Sequence, residues 1–230
     1  MLTEDLGLMP YRAAWDYQQS VHEQVLAGAP ERILFVEHPP VITLGRRPEI
    51  SRNLIASQEL LASLGVDLVQ SDRGGDITFH GPGQLVAYPI IRLADHKLSV
   101  SAYVHALEDA IIATLADLGV ESHKDPTAVG VWTQVGRASA HHEPEPWAKA
   151  HLTSKIAAIG VRVRRGVTLH GLALNLTTDL SYFNLIVPCG LTGRPVTSLQ
   201  QLQPAHTPDP NTVKSLLANR LIEKLNISKI

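Results

Sequence analysis

The chain has one cysteine, and its setting is unusual for a residue that only packs. Cys189 lies in Ile186-Val-Pro-Cys-Gly-Leu191, where Pro188 biases Val187 away from helix and ends the preceding strand, and Gly190 lets another segment approach the sulfur. A lone thiol is ordinarily a small buried hydrophobe. A nucleophilic thiol needs a base or cation beside it, because only the thiolate attacks and a free thiol titrates at about 8.5. Two kinds of partner are available. Lys155 opens the apolar run Ile156-Ala-Ala-Ile-Gly-Val161, an uncommon place for an ammonium unless it faces water at the strand end. His80 and His170, each followed by glycine, offer the other choice, a Cys–His pair as in cysteine hydrolases.

The densest signal is Arg73-Gly-Gly-Asp-Ile-Thr-Phe-His-Gly-Pro-Gly-Gln84. Four glycines within eleven residues, broken by Asp-Ile-Thr-Phe, give two places where backbone must turn sharply or come close to a ligand. No Gly-Lys-Ser/Thr ends the stretch and it lacks Gly-x-Gly-x-x-Gly, so it is neither a P-loop nor a dinucleotide fingerprint. Metal chemistry has weak support. His141, His142 and His151 lie among Pro144 and Pro146, and no Cys-x-x-Cys or His-Glu-x-x-His occurs, so no metal or other cofactor is expected.

These residues must be held by a fold of ordinary composition. With 230 residues, one domain is expected. The chain is 44% hydrophobic and 18% charged, with 20 Lys+Arg against 22 Asp+Glu. No basic footprint for nucleic acid is present. The acidic start Met1-Leu-Thr-Glu-Asp does not fit a signal peptide, and no apolar run reaches the ~18 residues of a membrane span. A soluble, cytoplasmic protein with no membrane partner is expected, and a single cysteine rules out an internal disulfide.

Tyr11, Ala14, Trp15, Gln18, Val21 and Val25 follow a helical period, as do Val104, Leu107, Ile111, Thr114, Leu115 and Leu118. Asp209-Pro210 offers a cap and first-turn proline for a last helix carrying Val213, Leu216, Leu217, Leu221 and Leu225. Ser57 to Leu64 reads as a short helix. Strands are expected at Ile33–Glu37, Val41–Leu44 and Val66–Gln70. A hairpin is expected from Lys155–Arg164 and Val167–Leu176 around Arg165-Gly166. Short turns between strands favour α+β with a mixed or antiparallel sheet. Gln134 to Ser154, aperiodic and poor in apolar residues, reads as a surface loop.

Arg73-Gly-Gly-Asp-Ile-Thr-Phe-His-Gly-Pro-Gly-Gln, Lys155-Ile-Ala-Ala-Ile-Gly-Val-Arg-Val163, His170-Gly-Leu-Ala-Leu-Asn175 and Val187-Pro-Cys-Gly190, in this order, resemble the octanoyltransferase family. Glu37-His-Pro-Pro-Val-Ile-Thr-Leu-Gly-Arg46 resembles its early strand pair. The likeness runs from about Tyr11 to Leu202 within a single catalytic domain spanning 1–230, with Gln134–Ser154 a longer link into the lysine strand than is usual. It implies the biotin/lipoate protein ligase-like fold: a mixed, largely antiparallel sheet with flanking helices and a small second sheet. It also implies transfer of octanoyl from octanoyl-acyl carrier protein to a lysine of lipoyl domains, those of 2-oxoacid dehydrogenase complexes and the glycine cleavage H protein, through a cysteine thioester. Cys189 then matches the nucleophile and Lys155 its partner. Arg73, Gly74, Gly75, Asp76, Ile77, Thr78, Phe79 and His80 match the first substrate-binding stretch, Ala158, Ile159 and Gly160 the second, and Gly171, Leu172 and Ala173 the third. Ile77, Phe79, Ile159 and Leu172 are candidates to line an acyl tunnel. Ser154, before the lysine, departs from the basic or other polar residue often found there. Arg162, Arg164 and Arg165 form either a dock for an acidic carrier or a solvated hairpin end. The rivals are an ATP-dependent lipoate or biotin protein ligase on the same fold, a Cys–His hydrolase, and a non-catalytic binder of lipoyl domains.

Overall fold

The computed structural model describes residues 1–47, 50–134, 153–187 and 194–226. Cys189 and its neighbours 188–193 lie outside the described residues, as do His141, His142 and His151.

Two sheets and the helices around them carry the chain. The large sheet is built from β1 (Leu2–Leu8), β2 (Arg32–Glu37), β6 (Gln84–Ile90), β10 (Val167–Asn175), β9 (Thr153–Arg164), β8 (Ala128–Gln134) and β7 (His123–Asp125), in that spatial order. Only β1–β2 is parallel; the other neighbours are antiparallel. The small sheet has β3 (Val41–Leu44) between β4 (Asp67–Gln70) and β5 (Thr78–His80), parallel to the first and antiparallel to the second. The expected α+β architecture is therefore observed.

Alternation along the central strands explains why both faces of the large sheet need cover. Ile33, Phe35, Leu85, Leu172 and Leu174 face the packed pair α3 (Val100–Asp117) and α5 (Pro210–Leu225). The intervening Leu34, Val36, Val86, Tyr88 and Leu169 face α1 (Tyr11–Leu26), through Ala14, Val21 and Val25. The long helices α3 and α5 begin with side-chain caps. Ser99 accepts from the Ala102 N–H and Asp209 from the Thr212 N–H, both at 3.1 Å. Ser57 caps the short α2 (Gln58–Ser63) in the same way, and α4 (Leu199–Leu202) completes the helices. No described helix is long and apolar enough to cross a membrane.

Of the expected loop Gln134–Ser154, residues 135–152 lie outside the described residues, and both described ends are strand. Gln134 ends β8, and Thr153 and Ser154 begin β9, with Ser154 buried. Polar composition hid these ends because a strand inside a sheet can carry buried hydroxyls when they are bonded.

One irregularity shapes the centre of the sheet. Pro89 in β6 has no N–H to give, and opposite it β10 leaves its regular register. The Thr168 hydroxyl fills the gap, accepting from Ile91 N–H at 2.9 Å and donating to the Pro89 carbonyl at 2.7 Å. His170 then takes a left-handed φ of 58°, and pairing with β6 resumes at Leu172 opposite Ala87. Gly171, between them, lies so close to β6 that a Cβ there would sit 2.1 Å from the Ala87 carbonyl oxygen.

Gly171→Ala is therefore expected to lower stability by about 1–3 kcal/mol, the usual range for overpacking, or roughly 2–4 °C in Tm per kcal/mol for a chain of this size. Thermal unfolding checks it; an unchanged Tm would contradict the close approach.

Candidate active site

The bulge at His170 and the Arg73–His80 stretch meet in a pocket of about 340 Å³ between the two sheets. Its wall contains Arg73, Gly74, Gly75, Asp76, Ile77, Thr78 and His80, then Lys155, Ala158, Ile159 and Gly160 from β9, and Gly171, Leu172 and Ala173 from β10. The β9–β10 register brings the last two groups together, pairing Gly160 with Gly171 and Ala158 with Ala173. Phe79 is the exception and corrects the tunnel expectation. With its neighbour His80 turned to the pocket, Phe79 points the other way, stacked on Tyr182 at 4.8 Å and edge-on to Phe183 at 5.6 Å.

Arg73 acts on backbone. Its guanidinium donates to the Thr43 carbonyl at 2.7 Å and hydroxyl at 2.9 Å, and to its neighbour's Gly74 carbonyl at 3.2 Å. Gly74 N–H in turn binds the Val161 carbonyl at 2.9 Å, which ties the glycine loop to β9. Asp76 performs a similar task, accepting from its neighbour's Ile77 N–H and from the Asn53 amide.

The floor is polar but carries little charge, for reasons traceable bond by bond. The Thr197 carbonyl takes the Asn175 amide N–H₂ at 2.9 Å, so the Asn175 carbonyl faces Gln84 and accepts its amide at 2.8 Å. Gln84 also donates to the Phe79 carbonyl, leaving its own oxygen for His80 Nδ1 at 2.7 Å. His80 must therefore carry its proton on Nδ1, with the lone pair on Nε2. Burial, reinforced by His38, lowers its pKa to about 3. His38 has the same tautomer: Nδ1 donates to the Met9 carbonyl and Nε2 accepts from the Tyr88 hydroxyl, each at 2.7 Å. Burial takes its pKa to about 4, against the Met9 bond. Tyr11 stacks on His80 at 5.9 Å and edges His38 at 5.3 Å.

His170 is tied outward. Its Nε2 lies 2.6 Å from Asp72 Oδ1 and its Nδ1 3.5 Å from the Tyr11 hydroxyl. Burial lowers its pKa, against the pull of Asp72. For Asp72, burial pushes upward, but His170 and Arg162 bring the net shift below the ordinary carboxylate value. Arg162 pairs with Asp72, and Arg164 and Arg165 both with Glu23. Each of the three arginines at this hairpin end thus lies within reach of a carboxylate.

Lys155 stands at the other end of the pocket. It is 7% exposed; its Nζ donates to the Val129 carbonyl at 2.9 Å and lies 4.8 Å from the centre of the Trp132 ring. Its backbone is held from both sides. β8 pairs it with Trp132, while Lys155 N–H binds the Pro195 carbonyl and Thr197 N–H binds the Lys155 carbonyl, both at 2.9 Å. Sequence reasoning missed Tyr11, Tyr88 and His38, whose only signal was their type. It also missed Val129, which lies in a strand with no clear pattern. Among the described residues, no group of three or more His, Cys, Asp or Glu is arranged to hold a metal ion.

The fold has known counterparts. The ligase of the bipartite lipoate protein ligase system of Thermoplasma acidophilum superposes with a TM-score of 0.74 at 16% identity, covering 97% of this chain and 83% of that one, so the two share a fold. The family described as the lipoyl protein ligase A/B catalytic domain matches residues 10–222. An octanoyltransferase of Koribacter versatilis is 45% identical over 85% of this chain and 73% of its own length. One from Bacteroides fragilis is 43% identical over 97% of both. The chain belongs to the octanoyltransferase family and is an acyltransferase.

The histidine floor has a consequence for acid stability. An unfolded histidine takes up a proton below about 6.5, whereas His38 and His80 stay neutral in the fold until about 4 and about 3. The unfolded chain binds more protons in that window, so stability falls as pH drops below about 6.5. The slope is about 1.4 kcal/mol per pH unit for each histidine, easing once the folded histidines also protonate. Denaturant unfolding at pH 7, 5.5 and 4.5 should show this, with a shallower slope for His38→Gln; the same slope in that variant would refute the assignment.

Proposed function

We propose that the protein moves an octanoyl group from the thioester of octanoyl-acyl carrier protein to a lysine of lipoyl domains, through a thioester on Cys189. The acceptors are the lipoyl domains of 2-oxoacid dehydrogenase complexes and the glycine cleavage H protein, and no cofactor takes part. The observation that carries this reading is a pocket large enough for a short acyl chain with the Lys155 ammonium at one end. The Pro195 carbonyl, six residues beyond Cys189, rests on the Lys155 amide, which supports a short reach from sulfur to nitrogen.

The chemistry suits these groups. In the first step the Cys189 sulfur attacks the donor carbonyl, the carbon–sulfur bond to the carrier breaks, and the proton from Cys189 passes through Lys155 to the departing carrier thiol. In the second step the acceptor amine attacks the enzyme thioester, an amide forms, and the amine proton returns Cys189 to a thiol. Exchange between thioesters is nearly neutral in energy and amide formation is downhill, so no ATP is consumed. Pocket residues Ile77, Ile159, Leu172, Ala158, Ala173, Gly160 and Gly171 would hold the tail, at about 0.8 kcal/mol per buried CH₂. Arg73, Gly74, Gly75, Asp76, Thr78 and His80 would complete the wall around the bound acyl group.

The hydrolase alternative is disfavoured by the histidines. A base with a pKa of about 3 is poorly matched to a thiol near about 8.5, and burial lowers the pKa of His170 as well. The ATP-dependent ligase alternative is separated by its demand for ATP and free octanoate.

Mixing the protein with octanoyl-acyl carrier protein should give one octanoyl adduct by intact mass, located on Cys189 and removed by hydroxylamine. Cys189→Ser should lose rapid transfer, on the order of 10³-fold or more, and Lys155→Ala should leave a slow thiol. Transfer at the wild-type rate by Cys189→Ser would end the covalent reading.

A further inference from the structure

Lys155 Nζ donates to the Val129 carbonyl at 2.9 Å, so the placement of Val129 bears on where the ammonium sits. Regular pairing does not set that placement. In β8, Ala128 pairs with Asp125 of β7 and Val131 with Lys124, leaving Val129 and Gly130 as extra residues between these partners. On the other edge the β8–β9 ladder begins only at Val131 opposite Ala157. Gly130 adopts φ +127°, and a Cβ there would sit 2.6 Å from the Ala157 carbonyl oxygen and 3.4 Å from Lys155 Nζ. The Val129–Gly130 peptide is thus a bulge pressed against the lysine, and its shape must be set from outside the sheet.

It is set from α3. On that helix Tyr103, Leu107, Ile111 and Leu115 are wholly buried, yet Glu108 on the same side is only 3% exposed. A carboxylate in such a place is costly unless hydrogen-bonded. Glu108 Oε1 accepts the Gly130 N–H at 3.1 Å, and Oε2 lies 3.0 Å from Nδ1 of the exposed His105, one turn earlier. We propose that Glu108 is the positioning residue for the lysine end of the pocket: by capturing the Gly130 amide it aims the Val129 carbonyl at the Lys155 ammonium. Glu108 is not part of the pocket wall and acts through the bulge. The inference builds on the reading of Lys155 as the partner of Cys189.

The hydrogen bond needs an acceptor of this length, not a charge. Glu108→Gln keeps the acceptor and should hold kcat within about threefold of wild type. Glu108→Ala orphans a buried amide, and a displacement of about 1 Å at the ammonium should lower kcat by about tenfold to a hundredfold, with the KM for octanoyl-acyl carrier protein within about twofold. Glu108→Asp, which retracts the carboxylate by one methylene, should fall between; if Glu108→Ala does not fold, the Asp–Gln comparison decides. The ¹³Cε resonance of Lys155 in the full chain should be displaced in Glu108→Ala and Glu108→Asp but not in Glu108→Gln. That readout does not depend on turnover: wild type that forms no Cys189 adduct but shows this resonance pattern would overturn the transfer mechanism and leave the positioning role standing. Wild-type kcat and an unmoved resonance in Glu108→Ala, or a Glu108→Gln as impaired as Glu108→Ala, would overturn the positioning role.

Discussion

The clamping of the Lys155 backbone is the constraint from which most of the site follows. A strand that begins at a buried ammonium needs its peptide groups satisfied on both edges. Here β8 supplies one edge and the segment Pro195–Thr197 the other. The second edge is not a long strand but a short run just after Cys189 in sequence, so a single ladder settles where the lysine stands and where the cysteine segment resumes. Lateral freedom for the ammonium is then removed by the Val129 carbonyl and the Trp132 ring.

The three glycine-rich stretches answer a different demand. At their glycines they bring backbone to the pocket wall. Gly160 faces Gly171 across the β9–β10 ladder, and the Arg73 guanidinium holds its loop to β3 while the Gly74 N–H ties it to β9. Beneath them lie imidazoles that burial keeps uncharged. An apolar tail can enter such a pocket without stripping water from an ion, and the cationic chemistry stays at the lysine end.

Much of the architecture was legible because it rests on local rules. Caps and the 3.6 period placed α1, α3 and α5, and Arg165-Gly166 announced the β9–β10 hairpin. Sequence order also brought forward the stretches that share the pocket. What escaped depended on distant geometry. β1 carries no clean alternation, because it lies at an edge with most of its residues exposed. The orientation of Phe79 is settled by Tyr182 and Phe183, about a hundred residues away in sequence. Glu108 sits in an otherwise apolar helical stripe, where only its partner Gly130 distinguishes it from an error in the pattern.

The edge formed by β1 has its own implication. A parallel border strand leaves a row of amides and carbonyls that could template addition of a foreign strand. Gly7, with φ +61°, and the register shift between Asp5 and Leu8 break that row. Asp5 draws the Gly7 amide back onto its own carboxylate and binds Lys214 of α5. The border is thus kinked and charged where a flat one would invite aggregation, so the long sheet can end in solvent without a covering helix.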